Sequence, residues 1–239
     1  MSRLLAKLPP QPDVQLIVTA SEDKDESIPS TADRWRAIEA SRPDVVWVHG
    51  PPGRGVQLNA GAARAEGRWL WFVHADSTLP GGFQAIFRQF DVGGAAADAT
   101  NANAGAVAAD PAAVGGSFRF ALDSAAWQAR IWERGVALRV ALFGLPYGDQ
   151  GLFVRRAVFE RMGGFRPIPL MEDVEFVGRM KREGRMVHLN VKIVTSARRW
   201  EREGWWRRTL RNLGLLALYY VGISPERLAQ GYEEKKPRS

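Results

Sequence analysis

Short apolar runs alternate with stretches of helical periodicity along the chain. "VQLIVTA" (14–20) and "DVVWVHG" (44–50) are continuous, β-branched runs of the kind buried on both faces of a parallel sheet, so both predict central strands. Between them, "STADRWRAIEAS" (30–41) offers Ser30 or Thr31 as an N-cap, Trp35 and Ile38 at helical spacing, and Pro43 as a stop. After "PPGRG", the Ala-rich "VQLNAGAARAEG" (56–67) ends at Gly67 and predicts a helix, with "RWLWFVHA" (68–75) as the next strand. "SAAWQARIWERGVALRVALFG" (124–144) has a helical pattern through Trp127, Ile131 and Leu138, and "GLFVRR" (151–156) reads as a strand. "AVFERMGG" (157–164) and "MEDVEFVGRMKREG" (171–184) read as glycine-closed helices, and "MVHLNVKIVTSA" (186–197) as the last strand. Such alternation predicts an α/β fold with a doubly wound sheet.

Two regions break the pattern. Residues 91–116, "DVGGAAADATNANAGAVAADPAAVGG", are low-complexity without apolar periodicity and are expected to form a mobile surface insertion. Residues 198–232 form a basic amphipathic C-terminal segment, with Trp200, Trp205 and Trp206 among Arg198, Arg199, Arg202, Arg207 and Arg208. Its apolar stretch "LGLLALYYVGI" (213–223) is well short of the ~20 residues of a membrane span and reads as a core or interfacial helix. A solvated helix that packs its rings inward is the simpler reading, and an amphipathic surface element is the other.

A length of 239 residues with 46% apolar content suffices for one substantial core, so residues 1–239 are expected to form a single domain. The absence of cysteine excludes a disulfide framework and a thiolate metal site, which leaves oxygen and imidazole ligands. A net charge of +7 favours anionic partners, but the arginines form no recognition helix and the aromatics no stacking sheet, so nucleic acid is not expected. "MSRLLAKLPPQPD" lacks the long apolar core of a secretion signal, so a cytoplasmic location is expected.

Candidate chemistry sits at two places. The strand "WLWFVHADSTLPGGF" (69–83) ends on His74 and Asp76, and ligands of open α/β sheets gather at the carboxyl ends of strands. A hard cation such as Mg²⁺ or Mn²⁺ needs only one or two carboxylates, so Asp76 with His74 is a candidate metal site; a turn-capping Asp and a core His is the alternative. In "PLMEDVEF", Glu172 and Asp173 open a helix, where acids serve as ordinary first-turn residues or as a general base.

The order of "GRGVQLNAGAARAEG", "WFVHADSTLP", "YGDQGLFVRRAVFERMGGF", "PLMEDVEF" and "SARRWEREG" resembles a bacterial family 2 glycosyltransferase. Within that family it is similar to the branch labelled arsenosugar-biosynthesis-type. The resemblance runs from about residue 14 to 232. It implies a GT-A, Rossmann-like, mostly parallel sheet, a nucleotide-diphosphate-sugar donor, and inverting transfer to a hydroxyl acceptor. By the same resemblance Asp173 is the catalytic base beside Glu172, and Arg54 and Asn59 meet the nucleotide. Asp76, with His74, holds Mg²⁺ or Mn²⁺, Asp149 and Gln150 lie on the acceptor side, and Arg199 with Trp200 closes over the diphosphate.

Acceptors of this family are often lipid-linked, so peripheral contact with the inner membrane face through Arg198, Arg202, Arg207, Arg208 and Arg211 is a further expectation.

Two departures from the family stand out. The usual opening strand has no counterpart, and Thr19 stands where an Asp usually helps to hold the nucleotide; Asp23 or Asp25 is a candidate substitute, and a charged solvated loop is the simpler reading of "ASEDKDES". The missing strand would lie between those of 14–20 and 69–75, so either these pair directly, or a segment from elsewhere fills the gap, or the chain is a truncated, marginally folded piece; residues 4–8 are expected as a helical remnant and the nucleotide pocket as lacking one wall. The alternative function is a truncated, non-catalytic GT-A-like protein that binds a nucleotide or sugar phosphate.

Overall fold

The computed structural model of the chain describes residues 2–5, 8–11, 13–21, 37–91, 110 and 112–233. The expectations for Ser30, Thr31, Trp35, Asp23 and Asp25, and for 92–109 and 111 of the insertion, lie outside these residues. A short helix, α1 (Ser2–Leu5), buries Leu5 and precedes strand β1 (Leu16–Ser21). β1 pairs in parallel with β2 (Val45–Gly50), Leu16 opposite Val45, and α2 (Arg54–Ala62) packs on both. Neither strand pairs with β3 (Trp69–Trp71) among the described residues, so direct closure of the two runs is not how the halves meet.

The larger sheet has the order β3-β5-β4-β6, from β4 (Gly115–Leu122), β5 (Phe153–Arg155) and β6 (Met186–Thr195). β5 runs antiparallel to both β3 and β4, while β4 and β6 are parallel along their whole length apart from an irregularity between Phe118 and Arg119. Successive residues of a strand face opposite sides. Phe153 accordingly packs with Ile86 and Phe90 of α3 (Phe83–Asp91), and Val154 with Phe176 and Met180 of α6 (Glu172–Glu183). Helices therefore cover both faces, as the alternating pattern predicts. A third cluster joins Phe120 and Leu122 of β4 to Ala129 and Val136 of α4 (Trp127–Phe143) and Trp200 of α7 (Arg198–Glu203). The chain is completed by α5 (Arg156–Arg161), α8 (Trp205–Tyr220) and α9 (Pro225–Glu233).

β4 is the strand that the sequence pattern did not resolve. Its first residues, Gly115 and Gly116, belong to the stretch read as insertion, yet both are buried at the centre of the sheet. A Cβ on Gly116 would stand 2.0 Å from the Val187 carbonyl oxygen, and one on Gly115 2.4 Å from that of Phe153. Close backbone approach, rather than flexibility, explains the two glycines. The strand read over 68–75 is shorter than expected: after Trp71, Phe72 N still donates to Leu152 O at 2.8 Å, but the following residues turn away.

The outward side of α4 is apolar. Trp127, Ile131 and Leu138 keep helical spacing but are exposed, and the helix packs through Ala129 and Val136 instead. On the C-terminal segment, Trp200 is buried, Trp205 half-buried and Trp206 exposed, so only part of the ring set packs inward. No helix among the described residues is long and apolar enough to cross a membrane.

Candidate active site

Several segment ends converge on one cavity of roughly 470 Å³. Arg54 comes from the first turn of α2, and His74 and Asp76 from the turn after β3, where Ser77 N donates to His74 O at 3.0 Å. Thr78 then bridges back to Val194, which pins this turn against the end of β6, where Thr195 and Ser196 also line the cavity. Gly148 and Asp149 come from a 3₁₀ turn (Gly148–Gln150), Asp173 from the first turn of α6, Arg199 and Trp200 from α7, and Arg208 from α8. Met171, with φ 65°, is the one non-glycine residue with positive φ among the described residues. That uncommon conformation reverses the chain so that α6 begins on Glu172 and Asp173.

Arg54 is the electrostatic centre. Its Nε lies 3.3 Å from Glu172 Oε1, and its Nη2 donates to His74 Nε2. A guanidinium has no acceptor, so this contact requires a neutral imidazole with its proton on Nδ1. Consistently, burial and then the Arg54 charge hold His74 down to about 4. Burial, followed by the neighbouring Asp173 charge, raises Glu172, while Arg54 opposes the rise. Glu172 is nearly fully buried behind Arg54 and orients it.

Asp173 is held at both oxygens: Oδ2 accepts from Gly148 N and Oδ1 from Val174 N, each at 2.8 Å. Gly148 is a glycine for a local reason, since a Cβ there would come within 2.2 Å of Arg54 Nη2 and 3.2 Å of Asp173 Oδ2. Asp149 faces the same cavity, and burial, partly offset by Arg139, raises it to about 6. A carboxyl raised in the folded state stabilises the fold fully below its unfolded value near 3.8, and that contribution is lost as pH rises through about 6. Asp149→Asn is therefore expected to be more stable than the parent above pH 6, by on the order of 1–3 kcal/mol, with the gain vanishing below pH 4. Thermal denaturation of both proteins across pH 4–8 measures the difference; a gain independent of pH would contradict it.

Three expected site residues have other jobs. Asn59 does not face the cavity: Nδ2 donates to Phe165 O and Oδ1 accepts from Phe165 N, both at 2.8 Å, so its amide is spent on clamping that loop. Gln150 is 2% exposed and ties the core together. Its Oε1 accepts from Tyr147 N and Arg139 Nη2, each at 3.1 Å, and its Nε2 donates to Phe118 O at 3.3 Å. His74 lines the cavity, but its Nε2 lone pair is taken by Arg54, whose positive charge would also repel a cation there. As placed, it orients the arginine.

Arg208 is a cavity residue that the sequence reading did not place there. Read as facing a membrane, it is instead buried, stacks over Trp200 at 4.9 Å, and pairs with Glu203 Oε2 at 2.8 Å. Arg211 shares Glu203 at 3.1 Å and is half-buried. The only signal for an inward face was Glu203 itself, at the end of α7, five and eight residues before the two arginines of α8 that it pairs with.

The cavity fits a diphosphate and a cation in different ways. Trp200 Nε1 and Arg208 Nε are buried donors without a hydrogen-bond partner, both in residues that line the cavity beside exposed Arg199. Buried donors of this kind call for an acceptor, which anionic oxygens supply. For a cation, no group of three or more ligating side chains occurs among the described residues. The exposed Asp76 carboxylate at the cavity wall suits a hard divalent ion that takes its other ligands from phosphate and water.

Comparison with known proteins gives a likeness of fold. No protein-family model and no curated protein matches the chain. Among solved structures, it is similar to a mannosyltransferase from Pyrobaculum calidifontis in complex with GDP-Man and Mn²⁺, at 20% identity and a TM-score of 0.52. The match covers 89% of this chain and 56% of that one, so the chain spans just over half the length of its structural neighbour. The fold is thus an α/β architecture of the Rossmann-like GT-A type.

Proposed function

We propose that the chain transfers a sugar, with inversion, from a nucleotide-diphosphate donor to a hydroxyl acceptor. The observation that carries this reading is the pairing, in one cavity, of a fixed carboxylate with unsatisfied buried donors: Asp173 on one side and Trp200 Nε1 and Arg208 Nε on the other. Asp173 takes the acceptor proton as the acceptor oxygen attacks the anomeric carbon from the face opposite the leaving group. The bond from that carbon to the diphosphate oxygen breaks and the electron pair departs with the diphosphate. Arg199, Arg208 and the Trp200 N–H balance the charge that builds there, and Arg54, held by Glu172 and His74, supplies a further fixed cation. A single displacement inverts the anomeric centre and needs no protein nucleophile. When bound, Mg²⁺ or Mn²⁺ would sit on Asp76 and supply further neutralisation of the diphosphate. The neighbour's GDP-Man makes that compound the first donor to test.

Thermal stability with candidate donors, with and without Mn²⁺, provides the assay. A donor at 100 times its dissociation constant adds about 2.7 kcal/mol to stability, and this gain is expected to depend on the metal. Asp76→Asn is expected to abolish the metal-dependent part of the gain while leaving the unliganded protein as stable as the parent, because the side chain is exposed. A variant that still responds fully to Mn²⁺ removes Asp76 from the metal site. A protein that no nucleotide sugar stabilises contradicts the proposed function itself.

A further inference from the structure

Two of the longest helices carry their apolar stripes on the outside. On α8, Trp206, Leu210, Leu213 and Val221, the last just past its end, recur at helical spacing and all are exposed, Leu210 at 67%. On α4, Trp127, Ile131, Leu138 and Leu142 do the same, Leu142 at 66%. The two stripes meet at their tryptophans. Near their N-termini the Trp127 and Trp206 rings lie 6.5 Å apart, and toward the other end the Arg139 charge acts on Tyr220, partly offsetting the rise that burial causes there. Two exposed apolar stripes that meet at one end differ from leucines scattered singly over a surface.

The same region is strongly basic. Outside the cavity, the exposed charged residues of 127–143 and 198–220 are Arg134, Arg198, Arg202 and Arg207 against Glu201 alone. We infer that this face docks on an anionic phospholipid bilayer, with α4 and α8 lying flat in the headgroup region. Leucine and tryptophan side chains enter the boundary with the acyl chains, while exposed arginines reach the headgroup phosphates. The charge favours lipid over a second copy of the chain, since an isologous dimer would set two faces of the same positive sign against each other. The mode is surface adsorption, because no helix among the described residues is long and apolar enough to cross. α8 also carries Arg208 of the cavity, so docking would hold that cavity close to the headgroups. The inference does not depend on the proposed reaction.

Vesicle flotation of the purified chain tests it, using phosphatidylcholine with and without phosphatidylglycerol. Binding is expected to the phosphatidylglycerol vesicles and to weaken as ionic strength rises. L210E and L138E are each expected to lower the partition coefficient by about tenfold or more without shifting the melting temperature, since each withdraws one exposed leucine from the apolar phase. R134Q with R207Q is expected to reduce the preference for phosphatidylglycerol over phosphatidylcholine. No binding at low ionic strength, or unchanged binding by both glutamate variants, overturns the inference. Sedimentation velocity that shows a dimer abolished by L210E, without vesicle binding, identifies a second copy as the occupant and overturns it as well.

Discussion

Asp173→Asn is expected to lower sugar transfer by about 10²–10⁴-fold while donor affinity stays close to that of the parent. The substitution is nearly isosteric, and an asparagine Oδ1 can still accept one of the two N–H bonds, from Gly148 or Val174, that now fix the carboxylate. On the proposed reaction it removes the group that would take the acceptor proton, and it leaves Arg199, Trp200 and Arg208 of the same cavity unchanged. The discriminating measurement is the pair of donor dissociation constant and turnover, taken on the same preparation. Equal turnover by the variant would show that another group is the base, and Asp149, in the same cavity and raised to about 6, would be next to test. A parallel loss of donor binding would instead assign Asp173 to donor recognition.

Phe176→Ala is expected to destabilise the fold by about 3–5 kcal/mol, the range for removing a fully buried aromatic side chain. Phe176 is 0% exposed and stacks on Phe165 with ring centroids 4.1 Å apart, and Phe159 lies at 5.6 Å. Phe72 completes the group at 6.4 Å, and Phe72 and Phe165 are themselves walls of the cavity. Against a total stability of ~5–15 kcal/mol, a loss of this size leaves a marginal domain. Denaturant titration measures it, and a loss below ~1 kcal/mol would mean that neighbouring rings collapse into the space. Because the rings that back α6 also shape the cavity, donor affinity is expected to fall at temperatures well below the new melting point. Phe176→Leu, which keeps most of the volume, should recover much of both properties.

These effects meet at the start of α6, and that start is also where the sequence was most informative. The acids Glu172 and Asp173 before an apolar helical pattern could be read from the residues themselves, whereas Arg199 and Trp200 came only from the family resemblance; the structure brings Asp173, Arg199 and Trp200 to one cavity. Arg54, His74, Asp76 and Asp149 join them there. The reason such residues are legible is topological: in an α/β sheet, segments that follow strands end on the same side, so polar residues at strand ends converge. The strands and helices themselves were legible where the pattern was long, as in 171–184 and 186–197, which became α6 and β6. β4 was not, because its glycines resembled the low-complexity stretch before them; the alternation of Phe118, Phe120 and Leu122 was the signal that period two offered.

The sequence by itself determined the α/β class, most of the longer elements, and the His74, Asp76, Glu172 and Asp173 candidates, because local periodicity and capping depend on neighbours a few positions away. Tertiary structure alone decided what each group does with its hydrogen bonds. Asn59 is spent on Phe165, 106 residues distant, and Gln150 on Phe118, 32 residues distant. His74 is spent on Arg54, and Arg208 turns inward because Glu203 and Trp200 are there to receive it. The same holds for the apolar stripes of α4 and α8. Periodicity states that a helix has an apolar face, but which side is covered depends on what the rest of the chain packs against it. Here Ala129 and Val136 met the sheet, and the larger residues were left facing outward.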